Sequence, residues 1–249
     1  WIRSHEVGTA LNGRQLTGLE GSHLVEAGDG QRLLPEAARA FAALQEDARN
    51  AGFELAIASA WRSFERQRLS WTGKAAGERP GEADDGRQVV VGELSPRQRL
   101  RAILRFSAIP GTSRHHWGTD LDVYDAAAVP AEYRVKLSPD EVSAEGVFGP
   151  LHTWLDRRMK AAECHGFYRP YAVDRGGVAV ERWHLSYAPQ ALECEAGLSA
   201  GVLRHCWEAA GSAGSLLLRE QIEEDLQALL ARYVQVDPGW CPPAGGFGV

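Results

Sequence analysis

From Pro35 to Asn50, Ala and Leu recur at helical spacing, and polar residues fill the other positions. Pro35 suits a first helical position, where its missing N–H costs nothing, and Gly52 lies just past the end. The pattern predicts a helix over 35–50. Phe53 to Ala58 alternates as a half-buried strand and runs into the polar segment Ser59-Ala60-Trp61-Arg62-Ser63. Ser95 as N-cap with Pro96 behind it predicts a helix to about Phe106. Leu121 and Val123 alternate with Asp120, Asp122 and Tyr124, which predicts a strand with the two aliphatics facing the core. Gly149 to His165 reads as a helix carrying Leu151, Trp154, Leu155 and Met159 on one side and stopped by Gly166. After the turn signal Arg175-Gly176-Gly177, Val178 to Tyr187 reads as a strand. Over 214–234, Leu218, Ile222, Leu226, Leu229, Leu230 and Tyr233 form one amphipathic stripe.

The remaining segments are turn-like. Residues 1–30 are irregular, 72–88 form a polar, Gly-rich loop that would flank a cleft, and 238–249 are a Pro/Gly-rich tail. There is no internal repeat and no clear linker. The simplest organisation is one domain, a main unit over 1–195 with a helical C-terminal extension over 196–249 packed on it.

Composition narrows the function classes. A chain of 249 residues with 44% hydrophobic and 24% charged residues is an ordinary globular sequence, long enough for a real core. The net charge of −6 and the scattered basic residues give no footprint for nucleic acid. No stretch approaches 18 apolar residues, so no membrane span is predicted. No signal peptide is legible, and a start at Trp1 is what processing or trimming would leave. Cys164, Cys194, Cys206 and Cys241 form no CxxC pair, which argues against a structural zinc finger. They permit two disulfides or four independent thiols.

Two separated polar clusters stand out: Ser113-Arg114-His115-His116-Trp117-Gly118-Thr119-Asp120-Leu121-Asp122 and Glu181-Arg182-Trp183-His184. Together they supply two imidazoles, a carboxylate ligand and a spare carboxylate. A catalytic zinc site needs three protein ligands, an open position for water and a base for that water. On this reading His115, Asp122 and His184 hold the metal and Glu181 is the base. His115 sits in a turn and Asp122 on the strand that follows. Glu181 and His184 have opposite strand parity, so a bulge or bend near Arg182-Trp183 is required to bring both to one site. Arg62, at a strand end, is the cation for a developing oxyanion or a substrate carboxylate.

Each residue also has a plainer reading. His-x6-Asp and Glu-x-x-His each occur on ordinary surfaces. His116 is better read as packing against Trp117 than as a fourth ligand. Asp120 is either a hydrogen-bond acceptor behind a ligand histidine or a solvated carboxylate. His5, His23, His152, His165 and His205 read as structural or surface residues. Trp61, Trp117 and Trp183 are either core or an apolar wall of the site.

Ser113-x-His115-x-x-Gly118-x-Asp120-x-Asp122 resembles the Ser-x-His-x-x-Gly-x-Ala-x-Asp signature of the peptidase M15 family, the LAS-type zinc D-Ala-D-Ala carboxypeptidases and dipeptidases. Glu181-Arg182-Trp183-His184 resembles that family's Glu-x-x-His element, and Ser59-Ala60-Trp61-Arg62-Ser63-Phe64-Glu65-Arg66-Gln67 its Ser-Gly-Tyr-Arg-Ser-x-x-x-Gln segment. Gly166-Phe167-Tyr168-Arg169-Pro170-Tyr171 is similar to its Gly-Phe-x-x-Pro-Tyr run. The likeness covers about 30–190, in order. It implies an α+β fold of the hedgehog/D,D-peptidase kind, a small, mainly antiparallel sheet flanked by helices. It implies one zinc ion on His115, Asp122 and His184, with Glu181 as base and Arg62 contacting substrate. Ser113 and Gln67 would help hold that substrate. The departure is Asp120, where the family has Ala.

The activity this implies is removal of a terminal D-Ala from peptidoglycan stem peptides, with D,D-carboxypeptidase favoured. The alternatives are an L,D-carboxypeptidase, a peptidoglycan endopeptidase and a non-catalytic zinc-binding wall module. The substrate places the chain in the periplasm or cell envelope, or in the cytoplasm if it recycles wall peptides. A further possibility is that the C-terminal stripe drives dimerisation.

Overall fold

A computed structural model describes residues 10–82, 88–211 and 216–236. The elements, in chain order, are α1 (Gly13–Leu16), β1 (Val25–Glu26), β2 (Arg32–Leu33), α2 (Pro35–Asn50), β3 (Leu55–Ser59), α3 (Phe64–Ala75), β4 (Gly81–Glu82), β5 (Gln88–Val89), α4 (Pro96–Leu104), β6 (Asp120–Asp125), α5 (Pro139–Val142), α6 (Gly149–Lys160), β7 (Phe167–Tyr168), β8 (His184–Tyr187), α7 (Ala188–Gly197), α8 (Ala200–Ala209), α9 (Arg219–Glu224) and α10 (Leu226–Tyr233). The fold is α+β. A four-stranded sheet runs in the order β3-β6-β8-β7 with every pairing antiparallel, and two small ribbons pair β1 with β2 and β4 with β5.

Local chemistry explains the long elements. α2 starts at Pro35 and turns Ala37, Phe41, Leu44 and Ala48 inward. α4 starts with a reciprocal cap, in which Gln98 reaches back to the Ser95 N–H while Ser95 caps the first turn. Leu121 and Val123 of β6 are fully buried, as their alternation with polar residues predicts.

Two apolar clusters make the core. One face of the sheet packs on α2 and α6 through Phe41, Leu44, Leu55, Leu121, Leu151, Leu155 and Leu185. The second cluster joins α3 and α4 to the C-terminal helices through Trp71, Ile103, Leu104, Leu203, Trp207, Ile222, Leu226 and Leu230. The Trp207 indole N–H donates to the Pro110 carbonyl at 2.8 Å, and that of Trp71 to Leu217 at 3.1 Å. The apolar stripe that suggested dimerisation is therefore used within the chain itself. The sequence boundary at 195 falls inside α7.

Several elements differ from the sequence reading. α6 ends at Lys160 rather than near His165, because Ala162 and His165 both take left-handed backbone angles. The strand expected from Val178 begins only at His184. The Ala179 N–H goes to the Arg105 carbonyl and the Glu181 N–H to Tyr171, so these residues are stitched to loops rather than to a strand. The helix expected over 214–234 is two helices, broken at Asp225, whose backbone is not helical. Thr72 to Ala75 complete α3 instead of opening a loop, and Gly81–Glu82 pair with Gln88–Val89 as the β4–β5 ribbon. Cys164, Cys194 and Cys206 are buried free thiols, pushed by burial to about 12, 12 and 11, so no disulfide joins them. Cys241 and the predicted tail 238–249 lie outside the described residues, as do 1–9, 83–87 and 212–215. Among the described residues, no helix is long and apolar enough to cross a membrane.

Candidate metal centre

Strand pairing assembles the site. Asp122 of β6 lies directly opposite His184 of β8, and an irregularity between Ile57 and Ser59 sets Ser59 opposite Asp122 on the other side. Opposed residues on antiparallel strands hold their Cβ atoms about 5 Å apart. His115 arrives on a short turn of 3-10 helix, Arg114–His116, just before β6. That turn needs Gly118, whose φ is +77°. A Cβ there would come within 2.4 Å of Leu24 and press on the Leu34 backbone. The Arg62 N–H donates to the His115 carbonyl at 3.1 Å, so the segment before α3 is tied to the same turn.

His115, Asp122 and His184 are all buried, and each offers one ligand atom within 4.8 Å of the others. His115 Nε2 lies 3.4 Å from Asp122 Oδ2, and His184 Nδ1 lies 3.2 Å from Asp122 Oδ1. The far nitrogen of each ring is held. His115 Nδ1 donates to the Ala60 carbonyl at 2.9 Å, and His184 Nε2 donates to Asp120 Oδ2 at 2.8 Å. These bonds fix the tautomers and aim the remaining nitrogens at Asp122. Asp122 Oδ1 is buried without a hydrogen bond despite its nearness to His184. A buried carboxylate oxygen without a donor, beside two oriented imidazoles, fits a divalent cation. This nitrogen–nitrogen–oxygen donor set is a common zinc one.

The electrostatics agree. Burial opposes charge on Asp122, but His115 and His184 outweigh it and hold its carboxyl well below the usual range. Burial likewise works against a charged His184, yet Asp120, which accepts from its Nε2, and the neighbouring Asp122 carboxylate lift it to about 10. Two carboxylates around one imidazole make a place that stabilises positive charge. His115 is pulled down by burial, with Asp122 opposing.

Asp120 is the acceptor behind His184, and the solvated alternative fails because the residue is fully buried. Its Oδ2 accepts from His184 and from Arg114 Nε at 2.9 Å, and its Oδ1 accepts from Thr119 and Ser186. Arg114 is buried too. It also bonds Glu195, the Val234 carbonyl, Tyr168 and Ser186, and lies over the Trp117 ring.

Glu181 is carried by a turn, not by a bulged strand. The His184 N–H closes on the Glu181 carbonyl at 3.2 Å, and this turn puts residues of opposite strand parity on one side. Glu181 Oε2 lies 3.5 Å from His184 Nδ1. Arg182 and Arg169 brace the turn by sharing Asp156 of α6.

A cavity of about 200 Å³ opens here, lined by Arg62, Ser113, His115, Asp122, Glu181 and His184 among others. Arg62 is half-buried, and burial lowers its pKa while Asp122 and Glu181 support the charge. Gln67 is not on the wall. It is fully buried behind Arg62, accepting from the guanidinium at 3.0 Å and donating to the Ala108 carbonyl at 2.6 Å. Both ends of its amide are used, so it positions Arg62 rather than meeting a ligand.

His116 is no ligand. Its ring bridges the Arg62 carbonyl and the Gly111 N–H, and burial pushes it down to about 3. Of the three tryptophans, Trp183 lines the cavity. Trp117 is core, and Trp61 bonds the His116 carbonyl beneath Arg32.

The sequence reading missed two groups of wall residues. Tyr171, whose ring lies 4.9 Å from the His184 ring, belongs to the Gly-Phe-x-x-Pro-Tyr run and so had a visible signal. Leu229, Leu230, Tyr233 and Val234 come from α10 and had none beyond their helical stripe.

Comparison with known proteins identifies the family. The profile of the VanY family, D-alanyl-D-alanine carboxypeptidase, matches residues 30–190, more than half of the chain. Two curated relatives are uncharacterized proteins of Haemophilus influenzae. One is 40% identical over 103 residues, 40% of this chain and 70% of that protein. The other is 29% identical over 118 residues, 47% of this chain and 88% of that protein. Among solved structures, VanYB in complex with D-alanine-D-alanine superposes with a TM-score of 0.47 at 19% identity, covering 82% of this chain and 90% of that one. A mutant of the vancomycin-resistance D,D-pentapeptidase VanY in complex with Zn(II) gives 0.45 at 22%, covering 66% and 77%. The LdcB LD-carboxypeptidase gives 0.46 at 22%, covering 74% and 77%.

Proposed function

This chain belongs to the VanY family of D-alanyl-D-alanine carboxypeptidases, and from that premise we propose that it is a zinc-dependent carboxypeptidase that removes the terminal D-Ala of peptidoglycan stem peptides. The observation that carries the reading is the buried His115, Asp122 and His184 triad with Glu181 at its edge.

His115 Nε2, His184 Nδ1 and a carboxylate oxygen of Asp122 would hold one zinc ion. Bound there, the metal supplies Lewis acidity toward water and toward the scissile carbonyl. The rest follows from the chain's own groups. Glu181 faces the same space as the ligand atoms, its Oε2 3.5 Å from His184 Nδ1, where a base for the attacking water would stand. It takes a proton from the attacking water and returns it to the departing amine of D-Ala. Asp120 and the Ala60 carbonyl keep the two imidazoles aimed, so no reorientation is needed during turnover. Arg62, held by Gln67 and by the His115 carbonyl, offers its guanidinium to the free carboxylate of the last residue. Ser113, on the same wall, offers a hydroxyl beside it. A receptor for a terminal carboxylate favours an exopeptidase over an endopeptidase. The D,D choice at the scissile bond rests on the family. This substrate class puts the enzyme's work in the cell envelope.

The test pairs metal analysis with D-Ala release from two peptides, a pentapeptide stem ending in D-Ala-D-Ala and a tetrapeptide stem ending in one D-Ala after an L-centre. Zinc near one per chain with release from the pentapeptide is the expected result. Release from the tetrapeptide alone would replace the D,D reading with an L,D one. Zinc with release from neither would overturn the carboxypeptidase.

A further inference from the structure

The cavity has a second side that the proposed chemistry does not use. Leu229, Leu230, Tyr233 and Val234 fall at helical spacing on one face of α10, and all four line the cavity, together with Leu104 and Ile109. Leu230 and Val234 are buried in the second core cluster, while Leu229 and Tyr233 are only half-buried. α10 lies outside the residues the family profile matches.

The wall is fixed in place. The Val234 carbonyl accepts from Arg114 Nη1 at 3.1 Å, and Glu195 accepts the Val236 N–H at 3.1 Å as well as a second bond from Arg114. Arg114 is the same side chain that bonds Asp120 behind His184. The end of α10 is thus tied, through the buried Arg114 and the half-buried Glu195, to the group that aims a metal ligand. The space left between is small. At about 200 Å³ the cavity lies below the 300–1,000 Å³ usual for sites that take drug-sized ligands.

We propose that α10 is the specificity wall of this site, which sets the size of the side chain a metal-bound ligand carries and limits it to a small aliphatic group, from methyl to isopropyl. The proposal rests on the metal-centre reading above. What it adds is the element that sets the limit, a helix outside the residues the family profile matches. A rigid apolar surface rejects bulk by overlap and rewards a fitting methyl by burial, so the selection acts on size rather than on charge.

Simple alkyl hydroxamates test the wall without requiring turnover, because their two oxygens chelate zinc and their alkyl group probes what lies beside it. The zinc-loaded full chain is titrated with acetohydroxamate, isobutyrohydroxamate and cyclohexanecarbohydroxamate, in the wild type and in Leu229→Ala and Leu229→Trp. Leu229 is half-buried at the edge of the second core cluster and not among its buried residues, and circular dichroism checks that both variants keep the fold. Leu229→Trp should weaken isobutyrohydroxamate about tenfold and leave acetohydroxamate unchanged, and Leu229→Ala should improve the cyclohexyl compound by about tenfold relative to acetohydroxamate. Selectivity ratios that stay within about twofold in both variants overturn the proposal, as does failure of every hydroxamate to bind the zinc-loaded chain. The outcomes separate from those of the function test. Ratios that move in a chain that releases no D-Ala refute the carboxypeptidase and keep the wall. Release of D-Ala with fixed ratios refutes the wall and keeps the carboxypeptidase.

Discussion

The polar side of the cavity comes from β6, β8 and the turns that feed them, whereas the apolar side comes from α4 and α10, helices that pack in a different core cluster. On the polar side His115, Asp122 and His184 are set by hydrogen bonds to the far ring nitrogens or by strand pairing across Asp122 and His184. On the apolar side the wall is made chiefly by Leu104, Leu229, Leu230 and Val234, and what matters is how close a helix face stands. Directional bonds suit chemistry, which needs geometry held to a fraction of an ångström. Packed helices suit selection by size, since a close-packed interior resists deformation. The two sides meet at Arg114, which bonds both Asp120 and the Val234 carbonyl.

The comparison breaks most visibly at Glu181. Glu181→Gln keeps the shape of the polar side and removes its base. Turnover should fall by about 10²–10⁴-fold while zinc content stays near that of the wild type. Full turnover in this variant would sink the assignment. Next in size is the apolar side's claim to be structural. Trp207 is fully buried against the Pro110 carbonyl in the segment that leads into His115. Trp207→Ala should cost about 3–5 kcal/mol of unfolding free energy, read in denaturant titrations. A loss under about 1 kcal/mol would show that α8 is an accessory to the fold rather than part of it.

A smaller effect sharpens the boundary between the two sides. Asp120→Asn keeps the size of the side chain but leaves Arg114 beside a neutral group and weakens the hold on His184. Zinc affinity should drop about 10–100-fold, measured by competition with a chelator, because groups that orient metal-bound histidines have effects of that size. Unchanged affinity would mean that strand pairing alone aims His184.

The sequence showed these sides unequally. The polar side was legible because its chemistry needs particular residue types at particular spacings: His115 and Asp122 flanking a glycine with φ of +77°, and Glu181 three before His184. Even there the parity conflict was solved by a turn at 181–184 rather than a bulge, since periodicity says that two residues must meet and not how the backbone manages it. Val178-Ala179-Val180 alternates like a strand but has no strand beside it, only the Arg105 carbonyl. The apolar side was legible only as a stripe. Leu218 to Tyr233 keep helical spacing straight through the break at Asp225, so the pattern could not show two helices. Nor does any apolar stripe state which cavity it will face. Asp120 marks the middle case. The departure from the family pattern was visible, but its meaning depended on Thr119, Ser186 and Arg114 converging on it.

The smallest prediction concerns the brace beneath the Glu181 turn. His152 of α6 is fully buried, and its Nδ1 lies 3.2 Å from Arg169 Nη2, which can only donate. Burial first, and then the like charges of Arg169 and Arg182, push this imidazole down to about 3. Arg169, lowered by its own burial to about 9, stays protonated at neutral pH. Asp156 pairs with both arginines, so it supports their charge while leaving the imidazole neutral. The sign follows from which state takes up the proton. Below pH about 6.5 the unfolded chain protonates His152 and the folded chain does not, so stability falls with acid until the folded group titrates near 3. The slope from this one residue approaches about 1.4 kcal/mol per pH unit well below 6.5. His152→Asn keeps an acceptor for Arg169 and removes the titration. Unfolding free energies of the two chains, compared from pH 7 down to pH 4.5, should therefore converge or cross as the wild type loses stability faster. Parallel curves would mean that His152 takes up its proton in the folded chain. The arginine pair would then hold the Glu181 turn without demanding a neutral imidazole beneath it.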